Sequence, residues 1–136
     1  MIQFTIEGEP KGKGRPRMTK QGHTYTPKDT ASYENWVKCC FMEAKQKKIQ
    51  GEVPLAAHII ATYAIPKSTT NKNRALMLDY KLLPMKKPDC DNIVKIILDS
   101  LNGIAYDDDK QITELVFFKR YGKEAQVSVE IMEATL

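Results

Sequence analysis

The chain is poor in the residues that build soft-metal and nucleophilic centres, with two histidines and three cysteines among 136 residues. His23 and His58 are far apart, and Cys39, Cys40 and Cys90 lack any zinc-ligand spacing. Neither a zinc site nor a Ser/His or Cys/His nucleophile therefore has its parts together in the sequence. An odd cysteine count with two adjacent members predicts reduced thiols. No apolar run approaches the roughly twenty residues of a membrane span, and the first residues lack the apolar core of a signal peptide. The expectation is a cytoplasmic protein with no membrane partner. Internal repeats, low-complexity tracts and linkers are absent too, so residues 1–136 read as a single domain, and a hydrophobic content of 42% is enough to build its core.

What the chain has in excess is acid in one place. Asp89, Asp91, Asp99, Asp107, Asp108 and Asp109 are six of its seventeen acidic residues, and Lys95 is the one basic residue among them. Carboxylates held close together repel and raise one another's pKa unless a cation sits between them, and a divalent metal is the simplest such cation. Pro88 disfavours helix at Lys87, Asp89 or Asp91 can act as an N-cap, and Ile93, Val94, Ile97, Leu98 and Leu101 recur at helical spacing. These signals predict a helix over 89–101, stopped by Asn102 and Gly103. Asp91, Lys95 and Asp99 then share one polar stripe. The turn through Gly103 returns a second acidic group, 107–109, just before a strand-like run, so the two clusters are expected to face each other.

Spacing tests the alternatives. An EF-hand loop begun at Asp89 needs glycine where Val94 stands, and one begun at Asp107 needs it where Ile112 stands, so both registers fail. Either cluster alone is also what a capped helix or a solvated turn looks like.

The runs K-P-D-C-D-N-I-V-K (87–95), L-D-S-L-N-G (98–103) and D-D-D-K-Q (107–111) resemble the pattern of the RusA family of Holliday junction resolvases. Asp89, Asp91, Asn92, Lys95, Asp99, Asp108, Asp109 and Gln111 match that pattern, and a looser likeness covers most of the chain. The resemblance implies a metal-dependent endonuclease that cuts four-way DNA junctions as a homodimer. It carries the family's metal-binding aspartates onto Asp89, Asp91 and Asp109, with Asp108 a possible extra ligand, and the family's important lysine onto Lys95. The chain departs from the pattern at Pro88 and at the additional Asp107, which leaves open which of the three adjacent aspartates faces the site.

Basic residues concentrate elsewhere, on a net charge of +4. Residues 10–20 hold Lys11, Lys13, Arg15, Arg17 and Lys20 with no acid, among glycines and prolines that keep the segment out of helix and central strand. Residues 67–87 hold Lys67, Lys72, Arg74, Lys81, Lys86 and Lys87 against a single Asp79. Two basic loops leading to an acidic pocket suit a nucleic acid, because cationic arms hold phosphates that the pocket alone would repel. Lys11, Lys13, Arg15, Arg17, Lys67, Lys72, Arg74, Lys86 and Lys87 are the expected DNA contacts, although such loops also serve solubility alone.

The remaining pattern gives strands over 1–8, 53–65, 112–121 and 125–132, the last two joined as a hairpin, and a long helix over 27–48. Trp36, Phe41 and Cys90 are expected in the packed interior. The order β-α-β-α-β-β favours an α+β domain, a small mixed or antiparallel sheet with two main helices on one side. Oxygen ligands suit Mg²⁺ or Mn²⁺. Other readings remain open: a non-enzymatic DNA- or RNA-binding module with a structural acidic patch, or a different Mg-dependent structure-specific nuclease.

Overall fold

In the computed structural model, residues 1–14, 17, 18, 20–25 and 28–135 are described, with the backbone alone described at Arg17, Thr24 and Tyr25. Strand β1 (Ile2–Glu7) buries Ile2, Phe4 and Ile6 and exposes the residues between, as its alternation predicts. A short ribbon follows, β2 (Arg17–Met18) antiparallel to β3 (Thr24–Tyr25). Helix α1 (Lys28–Glu43) buries Tyr33, Val37, Cys40 and Phe41. It ends sooner than the apolar pattern suggests, because Lys45 takes a left-handed conformation (φ 55°) and its amide donates to the Met42 carbonyl at 3.0 Å.

Strand β4 (Leu55–Ala64) buries one face wholly and the other in part, and runs through the middle of the sheet. Helix α2 (Asn71–Leu78) lies inside the basic stretch read from sequence as a loop. It buries no residue, so it has no apolar stripe to announce it, and its main local signal is Thr70, whose hydroxyl caps the Asn73 amide at 3.2 Å. Helix α3 (Cys90–Leu101) matches its expected span and buries Ile93, Ile96, Ile97, Leu98 and Leu101. It stops where Gly103 adopts φ 78°, which a residue with a side chain rarely does.

The sheet order is β1-β6-β4-β5, with β5 (Ile112–Gly122) parallel to β4 and β6 (Gln126–Glu133) antiparallel to both β4 and β1. The class is α+β with a mixed sheet, as expected, but β5 and β6 are not a hairpin. β4 lies between them, and residues 123–125 pass over its end, where the Ile65 amide donates to the Gly122 carbonyl at 3.0 Å. Crossing one intervening strand covers about 10 Å, within reach of this connection. Burial decides the order. β4 is the most buried strand and takes a central place, whereas β5 carries Glu114, Lys119 and Arg120 and forms an edge. Helices α1 and α3 cover one face of the sheet, and the core lies between them and the inward side chains of β1, β4 and β6.

Candidate active site

The N-terminus of α3 is exposed at Asp89, Cys90 and Asp91. Asp89 is the N-cap by position (φ −67°, ψ 153°), and its carbonyl accepts from the Ile93 amide at 3.1 Å. Its carboxylate makes no capping hydrogen bond among the described residues, so capping does not explain this acid. Cys90 is exposed, not packed as expected, and all three cysteines are free thiols. The peptide bond leading in, Lys87–Pro88, is cis.

Along the same helix the Lys95 ammonium lies 3.4 Å from Asp99 Oδ2. That oxygen is shared with Lys13 of the basic loop, 3.3 Å away, and Lys13 also pairs with Glu34 of α1 at 3.0 Å. Lys13 is thus committed to two carboxylates. Burial alone would lower its pKa, but the hydrogen bonds and charges of Glu34 and Asp99 outweigh that and raise it. The loop is seated closely: the Lys13 amide donates to the Asn92 carbonyl at 2.9 Å and the Gly14 amide to buried Thr30 Oγ1 at 2.9 Å.

The second acidic group is sorted by its partners. Asp107 pairs with Lys48 at 2.7 Å. Asp108 accepts from the Lys110 amide at 3.1 Å and caps the short 3₁₀ turn Asp109–Gln111; that bond is the main cause lowering its pKa. Asp109 behaves oppositely. Burial, a hydrogen bond with Asp108, and the charges of Asp99 and Asp108 raise its carboxyl, offset in part by Lys95. Asp109 is therefore the member of the triplet within electrostatic reach of the α3 stripe. Tyr106 lies beneath, its hydroxyl donating to the Leu98 carbonyl at 2.6 Å, and burial together with Asp109, Asp99 and Asp108 raises its pKa.

Gln111, which the sequence marks only by its place in a pattern, holds this arrangement. Its Oε1 accepts from the amides of Asp107 (3.1 Å) and Asp108 (3.0 Å), and its Nε2 donates to the carbonyls of Gly51 (2.9 Å) and Val53 (3.0 Å). Its partners on the 51–53 loop are some sixty residues away, and no local signal reveals them.

Hard carboxylate oxygens are the donors that Mg²⁺ and Mn²⁺ prefer. Burial first, and the neighbouring Asp108 and Asp99 after it, disfavour the ionised Asp109 carboxylate, a penalty that a bound cation would relieve. In donor chemistry and charge the residues fit a divalent ion. Closure is another matter, because no three His, Cys, Asp or Glu side chains among the described residues are gathered tightly enough to hold one.

Of the expected DNA contacts, Lys11, Lys67, Lys72, Lys86 and Lys87 are exposed. Lys86 lies 4.8 Å from the centre of the Tyr63 ring, a cation–π contact, and Arg74 Nη2 reaches the Pro66 carbonyl at 3.4 Å. Arg15 lies outside the described residues, and Arg17 is placed in β2 by its backbone only. Trp36, expected in the core, is 39% exposed, with its indole N–H held by the Glu7 carbonyl at 2.7 Å.

The fold and site thus define an α+β scaffold presenting an acidic patch beside exposed basic residues. The family model described as Endodeoxyribonuclease RusA matches residues 7–132, and the chain belongs to that family of endodeoxyribonucleases. It is also 32% identical over 138 residues to the uncharacterized protein YqaN of Bacillus subtilis (strain 168), an alignment covering 98% of this chain and 97% of that protein.

Proposed function

We propose that this chain is a divalent-metal-dependent nuclease that resolves four-way DNA junctions by paired symmetric nicks, acting as a homodimer in the cytoplasm during recombination and repair. The observation that carries the reading is the Asp109 carboxyl, raised by burial and by Asp108 and Asp99 and drawn back by the charge of Lys95, which stands with Asp99 on the helix whose N-cap is Asp89 and whose first turn bears Asp91. Asp89, Asp91 and Asp109, with Asp108 as an additional ligand, would hold Mg²⁺ or Mn²⁺. When bound, the ion makes water a better nucleophile and offsets charge developing on the phosphoryl group.

The chain's own residues do the rest. Lys95, 63% exposed, offers its ammonium to the scissile phosphate, where developing charge is greatest. Asp99 aims that ammonium. Lys11, Lys67, Lys72, Arg74, Lys86 and Lys87 contact phosphates on either side, joined by Arg15 and Arg17, and they set orientation and register more than sequence preference.

The test is incubation of purified protein with a synthetic mobile junction. Paired symmetric nicks in Mg²⁺, none in EDTA, and none in Asp89→Asn, Asp91→Asn or Asp109→Asn are expected, with junction binding kept or tightened in each variant. Wild-type cleavage by any one variant removes that residue from the ligand set.

A second reading, a DNA- or RNA-binding module, draws on the open carboxylate cluster. It predicts junction binding without cleavage in any divalent ion. A different structure-specific nuclease predicts faster cutting of flaps than of junctions.

A further inference from the structure

We propose that Lys13 is a positioning residue for the acidic site and not a phosphate contact: it fastens the basic loop to α3 and shares the neutralisation of Asp99, leaving the Lys95 ammonium free for the substrate. The inference rests on the nuclease reading above and assigns a role inside that site.

Three consecutive residues hold the loop. Gly12 lies so close to α3 that an added Cβ would meet Pro88 Cβ at 2.7 Å and Asn92 Cβ at 3.0 Å. The Lys13 amide is bonded to the Asn92 carbonyl, and the Gly14 amide to the buried Thr30 hydroxyl. A backbone fixed on both sides places the Lys13 ammonium by construction. That side chain is 21% exposed against 63% for Lys95. To reach a phosphate it must abandon two carboxylates, one of them 3.0 Å away.

The shared atom carries the argument. Asp99 Oδ2 is divided between Lys13 at 3.3 Å and Lys95 at 3.4 Å. An ion pair at i,i+4 with its lysine in solvent is weak, so Lys95 leaves it readily while Lys13 stays behind to balance the charge. Without Lys13, Asp99 has Lys95 as its remaining amine partner among the described residues and draws it in.

Two measurements separate the roles: the single-turnover cleavage rate at saturating protein, and junction affinity in EDTA across a salt series. Lys13→Met is expected to slow the saturated rate roughly ten-fold. Affinity and salt slope should hardly change, and Lys13→Arg should restore the rate. Added to Lys95→Met, Lys13→Met should cause little further loss, because one residue acts through the other.

Weaker binding, a shallower salt slope and an unchanged saturated rate would make Lys13 a phosphate contact and overturn the proposal, as would fully additive losses. If Lys13→Met fails to fold, Glu34→Gln with Asp99→Asn, made in the Lys95→Met background, asks the question from the opposite side. Releasing Lys13 should tighten binding in EDTA and steepen its salt dependence, and an unchanged slope overturns the proposal. Wild-type protein that cuts no junction in any metal defeats the enclosing nuclease reading instead, so the two failures are distinguishable.

Discussion

Within the aspartate triplet, three neighbours with the same side chain have three fates, decided by what each meets. Asp107 meets Lys48, Asp108 meets a backbone amide, and Asp109 meets other acids. A carboxyl whose folded pKa is raised has its ionised form disfavoured by the fold. The chain carries that penalty in full above the folded pKa, and the penalty fades as pH falls through it and vanishes below the unfolded value. Asp109→Asn should therefore raise the melting temperature in EDTA near neutral pH, and the gain should disappear in acid; a melting temperature lowered at neutral pH would contradict the assignment. Gln111→Ala should act the other way. It strips partners from two amides and two carbonyls beside a buried side chain, costing roughly 2–3 kcal/mol. Chemical denaturation reads that loss, and cleavage should fall with it, since Gln111 ties the Asp109 turn to the 51–53 loop through two hydrogen bonds. The acids were legible in the sequence by their crowding. The separate partners of the three were not, because Lys48 and the carbonyls at 51 and 53 are remote along the chain.

Among the elements, α3 was the most legible because one helix carries two independent codes: apolar residues at 93, 96, 97 and 101 for the core, and charged residues at 91, 95 and 99 for the surface. α2 was illegible for the converse reason, having no buried face. The docking of the basic loop on α3 depends on the close approach of Gly12 to the Pro88 and Asn92 side chains. Gly12→Ala should lift the loop, costing about 1–3 kcal/mol and most of the cleavage rate. A crystal structure of that variant with the loop unmoved and full activity retained would show that the close approach is incidental. The hairpin expected from residues 122–124 failed because a turn sequence specifies a reversal and not a partner. The more deeply buried β4 took the place beside β6 that the hairpin would give to β5.

For the whole molecule, charge distribution and symmetry matter more than any single interaction. Arg15→Ala with Arg17→Ala should weaken junction binding and reduce the magnitude of its salt slope by about one to two, roughly one for each phosphate that an arginine no longer neutralises. A slope equal to that of the wild type would leave this loop a role in solubility only. Two symmetric nicks call for two active sites related by a two-fold axis. Light scattering under cleavage conditions should give twice the 15.5 kDa of one chain, and a monomer that still makes paired nicks would refute the dimer. No helix among the described residues is long and apolar enough to cross a membrane. By itself, the order of residues determined the class of fold, the span of α3, the crowded aspartates and the family pattern, because periodicity, caps and local charge density are properties of neighbours along a chain. Only the tertiary structure decided the strand order, the separate partners of the three adjacent aspartates, and the pairing of Lys13 with Glu34 and Asp99. Those outcomes depend on groups separated by tens of residues competing for one partner, and that competition is settled only once the chain has closed on itself.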